Sequence, residues 1–358
     1  MKVVLLAPTP PPAGGIAGWT ERMLCAELKG GWQVVVVDEK VSGASQVFGK
    51  EGKKKAWDDV KRCFRIWRDL KESLNDPEVK VVHSCIPSMT PSMMRELVCA
   101  SIARRRGRKF VIHFRCTVPN TTRGRWGHFF LKKLCNKSDL IISLNEQTSS
   151  YLRGVTDTPI RLIPNFISES ELVGKRMINE DLKTILYVGG IVAEKGVSDC
   201  LSVAKEYPGI EFRFVGKGDS AFEKRAAEEG LDNVVFVGGK DRNGVREELA
   251  KADLFMFLSF FRGEGFSNAL CEAMAAGLPC VVSDWAANAD MIGSEGGVVV
   301  PVNDVDAAVS AISRLKDKDL RESFSLNNIR KVKKEYVESV VLNQYVDAYE
   351  FVLGLGKR

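Results

Sequence analysis

Long apolar runs are missing from this chain. Among its 358 residues no window approaches the ~20 apolar residues that a membrane-spanning helix needs. The opening MKVVLLAPTPPPAGG has too short an apolar run for the core of a secretory signal and lacks a small-residue cleavage site, so it reads as a first strand and its loop. The nine cysteines are an odd number with no C-x-x-C pair, which excludes a disulfide framework or zinc ribbon. Cys63, Cys99, Cys200, Cys271 and Cys280 fall within apolar helical or strand patterns and are expected to be buried, reduced thiols of a cytosolic protein. Only three histidines occur, and no His/Cys/carboxylate cluster has metal-ligand spacing. No D-x-D pair offers a cation site for a nucleotide diphosphate, and Asp58-Asp59 lies in a basic helix, so neither metal nor cofactor is expected. The G-x-G-x-x-G fingerprint is absent too, which leaves a nicotinamide-dependent dehydrogenase supported by the strand pattern alone. There is no short repeat and no low-complexity tract.

What is present is the composition of a globular protein, 45% apolar and 27% charged, with length enough for two domains. The net charge of +6 hides an asymmetry: residues 1–165 carry 28 Lys+Arg against 15 Asp+Glu, and the remainder 24 against 31. A first half this basic is expected to face something anionic. Short apolar runs alternate with helical patterns, first at Val3–Ala7, Gln33–Val37, Val79–His83, Lys109–Phe114, Leu140–Ser143 and Ile160–Ile163. After a Pro164-Asn165 turn and a polar stretch from Ser168 to Lys183, a second series runs through Thr184–Val188, Glu211–Val215, Val234–Val237, Leu254–Leu258, Pro279–Ser283 and Gly297–Val300. Strands this apolar, separated by helices, imply parallel sheets covered on both faces. The expectation is an α/β chain of two doubly wound, Rossmann-like domains, 1–166 and 167–339, with ligands at the carboxyl ends of the strands in a cleft between them. A stripe of Tyr336, Val340, Val341, Tyr345, Tyr349 and Val352 marks a closing helix, with residues 340–358 packing back on the first domain.

Residues 264 to 281 read E-G-F-S-N-A-L-C-E-A-M-A-A-G-L-P-C-V, which places Glu264 in a loop and Glu272 two turns into a helix that stops at Gly277-Leu278-Pro279. A helix start suits phosphate, and two flanking acids can grip sugar hydroxyls; an ordinary loop and helix with solvated glutamates fits the spacing equally well. The first strand runs into a proline-rich loop ending in Gly14, Gly15 and Ile16, whose glycines permit positive φ and close ligand approach. The seventh is followed by Gly189-Gly190-Ile191-Val192-Ala193-Glu194-Lys195-Gly196, a glycine turn with a lysine at a helix start, and Val215-Gly216-Lys217-Gly218 repeats the pattern. His83 and His113 both close strands of the first half, and Arg115 beside His113 makes it the better site candidate. A basic stretch, residues 50–71, sets Trp57, Val60, Phe64 and Trp67 on one helical face, and Arg123–Lys137 adds Trp126, Phe129 and Phe130. Such surfaces suit an anionic membrane. Nucleic acid is not expected as a partner, since no nucleic-acid module accompanies the charge.

With these motifs in this order the chain resembles the retaining glycosyltransferases of family 4, which have the GT-B fold. The resemblance spans nearly the whole chain and is carried by Gly14-Gly15-Ile16, His113, Ser138–Ser143, Ile163-Pro164-Asn165-Phe166, Gly189–Gly196, Val215–Gly218, Ala252–Phe255 and the E-x7-E pair Glu264 and Glu272. It implies a UDP-linked nucleotide sugar as donor and a lipid-linked or glycan acceptor, in polysaccharide, lipopolysaccharide or glycolipid assembly on the inner face of the membrane. Glu272 would hold the ribose and Glu264 the sugar hydroxyls, with backbone N–H groups of Phe266, Ser267 and Asn268 toward sugar and diphosphate. Lys195 would meet the departing diphosphate, and His113 would lie near the reacting sugar. Two departures stand out: Gly190 occupies a position where the family commonly has Arg, with Arg262 as a candidate substitute, and Asp284–Asp290 replaces a glycine-rich turn. Gly190 keeps open an alternative, a non-catalytic sugar-nucleotide or glycan-binding subunit partnering an active enzyme.

Overall fold

A computed structural model describes residues 1–11, 14–40 and 56–355 of the chain. Pro12, Ala13 and the Lys50–Lys55 part of the basic stretch lie outside these. The chain divides into two units, Met1–Asn165 with Ser339–Arg358, and Phe166–Glu338.

Unit 1 contains β1 (Lys2–Ala7), α1 (Gly15–Cys25), β2 (Gln33–Asp38), α2 (Ala56–Ser73), β3 (Val79–Ile86), α3 (Thr90–Arg105), β4 (Lys109–Phe114), α4 (Val118–Thr121), α5 (Gly124–Lys137), β5 (Leu140–Ser143), α6 (Glu146–Arg153) and β6 (Ile160–Leu162). Its six strands are all parallel, in the order β2-β1-β3-β4-β5-β6. Val3 to Ala7 are wholly buried because β1 lies inside the sheet with both faces covered. β3 continues past His83 to Ile86, so His83 does not close its strand; Ser84, Cys85 and Ile86 pair onward with Ile112, His113 and Phe114. On α2 the expected single face splits: Ile66 and Leu70 are buried and Trp67 packs on the core, whereas Trp57, Val60 and Phe64 are exposed.

Unit 2 contains β7 (Thr184–Val188), α7 (Val197–Glu206), β8 (Glu211–Val215), α8 (Ala221–Glu228), β9 (Val234–Gly238), α9 (Arg242–Lys251), β10 (Leu254–Phe257), α10 (Asn268–Ala275), β11 (Cys280–Ser283), α11 (Asn288–Ile292), β12 (Gly297–Val300), α12 (Val305–Arg314) and α13 (Lys318–Glu335). Its parallel order, β12-β11-β10-β7-β8-β9, reverses between β7 and β10. Such a reversal leaves a crevice at the strands' carboxyl ends, where doubly wound sheets take ligands. The last helix, α14 (Glu338–Leu353), begins after Tyr336, so the apolar stripe is broken there, and Tyr345 and Tyr349 are buried in unit 1.

One buried ionic cluster in unit 1 has a consequence for pH. Arg95 donates to Glu39 at 2.7 Å and to Glu96 at 2.6 Å, and Ser84 donates to Glu96 at 2.7 Å. One guanidinium cannot neutralise two buried carboxylates. Burial and the charge of Glu96 therefore push Glu39 up to about 8, against the pull of Arg95. The folded pKa exceeds the unfolded one, so the folded state holds an extra proton between the two values. This contribution to stability is complete below the ordinary carboxylate range and is lost as pH rises to about 8. Thermal unfolding at acid and alkaline ends of that window should show a loss on the order of a few kcal/mol in the parent chain, largely absent in Glu39→Gln. An identical pH profile for the two would remove Glu39 as the cause.

Candidate functional site

In unit 2 the strand-order reversal brings together two segments far apart in sequence. After β7 the chain turns through Gly189 and Gly190, and the Tyr187 hydroxyl donates to the Gly190 carbonyl at 2.8 Å. A short 3-10 turn, Ala193–Lys195, follows, closed by Gly196 at φ 78°. A Cβ at Gly196 would overlap the Leu258 carbonyl, so the glycine also lets this turn lie against the end of β10. The β8 turn interlocks with it: Gly189 donates to Val215 at 3.0 Å, Ile191 to Lys217 at 3.0 Å, and Asp219 to Ile191 at 2.8 Å.

The outcome is an ion pair. Lys195 Nζ lies 2.5 Å from Glu264 Oε2, with the two side chains 19% and 11% exposed. The ammonium also stands 4.7 Å from the Phe261 ring centroid and 5.5 Å from that of Phe257. An ammonium held by one carboxylate and ring faces keeps donor capacity for a further anion. Trp285 Nε1 donates to the Phe261 carbonyl at 2.8 Å, pinning the loop that carries Glu264. Trp285 lies in the stretch that departs from the family's glycine-rich turn; nothing in the sequence pattern marks it as a support. Arg262 is exposed on the same loop.

Ser267 caps α10 by accepting from Leu270 N at 3.3 Å, and Phe266 packs edge-on against Tyr336 at 5.3 Å. Asn268 opens the helix. Glu272, on the next turns, lines a cavity of about 530 Å³ together with Lys175, Arg176, Lys240, Asp241 and Arg242, over Val245 and Leu249. Arg176 is anchored to the carbonyls of Ala276 at 2.9 Å and Ala250 at 3.1 Å, and to that of Ala252. The polar stretch after Ser168, a connector by its sequence, thus supplies one wall of the cavity: its Ser168–Glu171 capping box and the Val173 N–H to Ala275 carbonyl bond of 3.1 Å hold it beside α10. No periodicity or motif flags its lysine and arginine. Lys195 and Glu264 meet directly, Gly189, Gly190 and Gly216 form the turns beside them, and Glu272 opens to the cavity.

D-x-D spacing does occur twice in the chain, at Asp304-Val305-Asp306 and Asp317-Lys318-Asp319, contrary to the sequence expectation. Asp304 and Asp317 are helix caps, accepting from Ala307 N at 2.9 Å and Leu320 N at 3.0 Å, and neither stands at the strand-order reversal.

In unit 1, Gly14 and Gly15 do not use positive φ: Gly14 is an extended N-cap (φ −170°) and Gly15 opens α1. Both are exposed and Ile16 is half-buried. His113 is fully buried among Trp19, His83 and Tyr345. Arg115 can only donate, so its 3.3 Å contact makes His113 Nε2 an acceptor. His113 Nδ1–H then donates to His83 Nε2 at 3.1 Å, and His83 Nδ1–H to the Tyr349 oxygen at 2.8 Å. One arginine fixes both tautomers. Burial first, then Arg115, drives both imidazoles down from their ordinary pKa, His83 to about 3. The pair is neutral at physiological pH.

Cys85 completes a His83, Cys85, His113 group whose ligand-type atoms lie within 4.8 Å, a cluster that sequence spacing conceals because it forms across β3 and β4. Its chemistry does not suit a cation. The His113 Nε2 lone pair is taken by Arg115, which leaves the ring proton on Nδ1, burial raises the Cys85 thiol to about 12, and the guanidinium opposes a second positive charge.

Residues 168–331 match the family model described as Glycosyl transferases group 1. A phosphatidyl-myo-inositol mannosyltransferase of Mycolicibacterium smegmatis is 28% identical over 204 residues, 54% of this chain and 52% of that protein. A GDP-mannose:cellobiosyl-diphosphopolyprenol alpha-mannosyltransferase of Xanthomonas oryzae is 27% identical over 216 residues, 56% of this chain and 55% of that protein. The chain spans about half the length of these curated relatives. Among solved structures, sucrose-phosphate synthase from Thermosynechococcus elongatus superposes with a TM-score of 0.81 over 99% of each chain at 18% identity, a likeness of fold. Two six-stranded parallel units and these likenesses give the chain the GT-B fold, with its second unit matching the group 1 glycosyl transferases.

Proposed function

We propose that the chain is a retaining, family 4-like glycosyltransferase that moves a hexose-type sugar from a nucleotide sugar to a lipid-linked or glycan acceptor. The observation that carries this is the Lys195–Glu264 pair at the strand-order reversal of unit 2, with Glu272, eight residues after Glu264, lining a cavity of its own. Transfer builds negative charge on the departing diphosphate while the sugar becomes oxocarbenium-like. A fixed ammonium meets the first of these, and α10 N–H groups with the carboxylate of Glu264 orient phosphate and sugar hydroxyls. Glu272, in a cavity with several cations, suits ribose hydroxyls beside a nucleotide's charged groups. His113, buried and neutral with its tautomer fixed, is given no proton-donating role in this reading. No covalent nucleophile is assigned.

Polysaccharide or glycolipid assembly fits the names of the relatives, mannosyltransferases of phosphatidyl-myo-inositol and of cellobiosyl-diphosphopolyprenol. The family resemblance suggests a UDP-linked donor, whereas one relative's name carries GDP-mannose, so both nucleotides belong in the test. Hydrolysis of a panel of UDP- and GDP-sugars should single out one donor. Glu272→Ala should raise its KM about thirtyfold, the equivalent of about 2 kcal/mol for a lost charged hydrogen bond. Equal turnover by parent and variant would remove Glu272 from the site. Tight donor binding with no transfer or hydrolysis would instead support the non-catalytic alternative that Gly190 leaves open.

A further inference from the structure

We propose that the face of unit 1 formed by α5 and the C-terminal end of α3 docks on an anionic phospholipid bilayer, its lysines and arginines on headgroup phosphates and Trp126 and Phe129 at the acyl boundary. Binding to lipid requires nothing of the transfer reaction.

From residue 97 to residue 138 the sequence has 11 Lys+Arg and no Asp or Glu. Arg115 is buried and Lys109 pairs with Asp139 at 3.1 Å, so the charge of this face comes from Arg104 at the end of α3 and from Arg125, Lys132, Lys133 and Lys137 on α5, which packs beside α3. At 100° per residue, Arg125, Trp126, Phe129, Lys132, Lys133 and Asn136 fall within one arc of about 120° on α5. Gly127, Leu131, Leu134 and Cys135, on the opposite side, are buried. Trp126 is 71% and Phe129 43% exposed, and their rings meet edge-on at 5.9 Å. Lys133 Nζ lies 4.5 Å over the Phe129 ring. Between the two helices a hollow of about 400 Å³ is lined by Arg104, Phe129, Lys132, Lys133, Asn136 and Lys137, an apolar floor with a cationic rim.

Protein interfaces deplete lysine from their aromatic centres, whereas here lysines stand among the rings. Aromatic groups that seek an apolar boundary, mixed with cations that no carboxylate among the described residues opposes, match the surface of an anionic bilayer. α2 also exposes Trp57 and Phe64, yet it carries Asp58, Asp59, Asp69 and Glu72 among its bases, so the charge argument selects α5.

The test is flotation of the full chain with phosphatidylcholine vesicles with and without about 30% phosphatidylglycerol. The chain should float with the anionic vesicles alone and be released by ~0.5 M salt, which shortens the screening length. Replacing Lys132 and Lys133 with glutamine should weaken binding about fivefold per lysine. Trp126→Ala should weaken it at unchanged charge. Failure to float, equal binding to neutral vesicles, or unchanged binding by both variants overturns the proposal. Release by inorganic phosphate beyond that by chloride of equal ionic strength overturns it in favour of a free-anion site. A lipid-independent dimer lost in Trp126→Ala overturns it in favour of a second copy. Nucleotide-sugar hydrolysis by these variants without vesicles should equal the parent's. Flotation without hydrolysis therefore sinks transfer alone, and hydrolysis without flotation sinks docking alone.

Discussion

Lys195→Gln should cut sugar transfer by about 10²–10³ in kcat while changing the donor KM by less than about tenfold. On the proposed reaction the ammonium contributes most as the diphosphate gains charge, so its removal should fall on the chemical step. In the absence of donor Lys195 sits 2.5 Å from Glu264, a carboxylate 11% exposed. The substitution therefore also leaves a largely buried acid with a weaker partner, so part of the loss comes from a displaced loop. Pairing it with Glu264→Gln separates the effects. A charge-neutral Gln–Gln pair should recover thermal stability without recovering rate. Lys195→Gln with near-parental kcat at saturating donor would falsify its assigned role.

The second large effect is mechanical. A methyl group at Gly216 would overlap the Gly189 carbonyl, and one at Gly218 the Ile191 carbonyl. Both obstacles are backbone, in turns tied by the Ile191–Gly218 bridge, and cannot swing aside as a flexible side chain would. Gly216→Ala and Gly218→Ala should each destabilise unit 2 by about 3 kcal/mol, the upper range for overpacking. Gly190→Ala is the control: a Cβ there would have nothing within 4 Å. Melting temperatures decide it; a Gly216→Ala chain as stable as Gly190→Ala would mean that the turns can separate.

The twelve strands among the described residues are legible in the sequence because the inner ones, covered on both faces, must be continuously apolar, and such runs between glycine and proline punctuation have few other readings. Strand ends are less so: β3 outlasts His83 because Ser84 and Cys85, polar in sequence, are buried by pairing with β4. Proximity is the part that is hidden. Lys195 and Glu264 are visible one by one, yet their meeting depends on β7 and β10 being neighbours, a matter of strand order. The histidine pair depends likewise on register between β3 and β4. The cavity wall from Ser170 to Met177 has no period at all, since an irregular segment is shaped by what it packs on.

Unit 1 is discontinuous, and that orders events at the ribosome. Its histidine pair is closed by Tyr345 and Tyr349, made after all of unit 2, residues 166–338. Unit 2 is contiguous and can complete its core while unit 1 still lacks its last helix. Until that helix is synthesised, Trp19, His83 and His113 lack their two tyrosine partners. The half of the chain that emerges first thus depends on the segment that is made last.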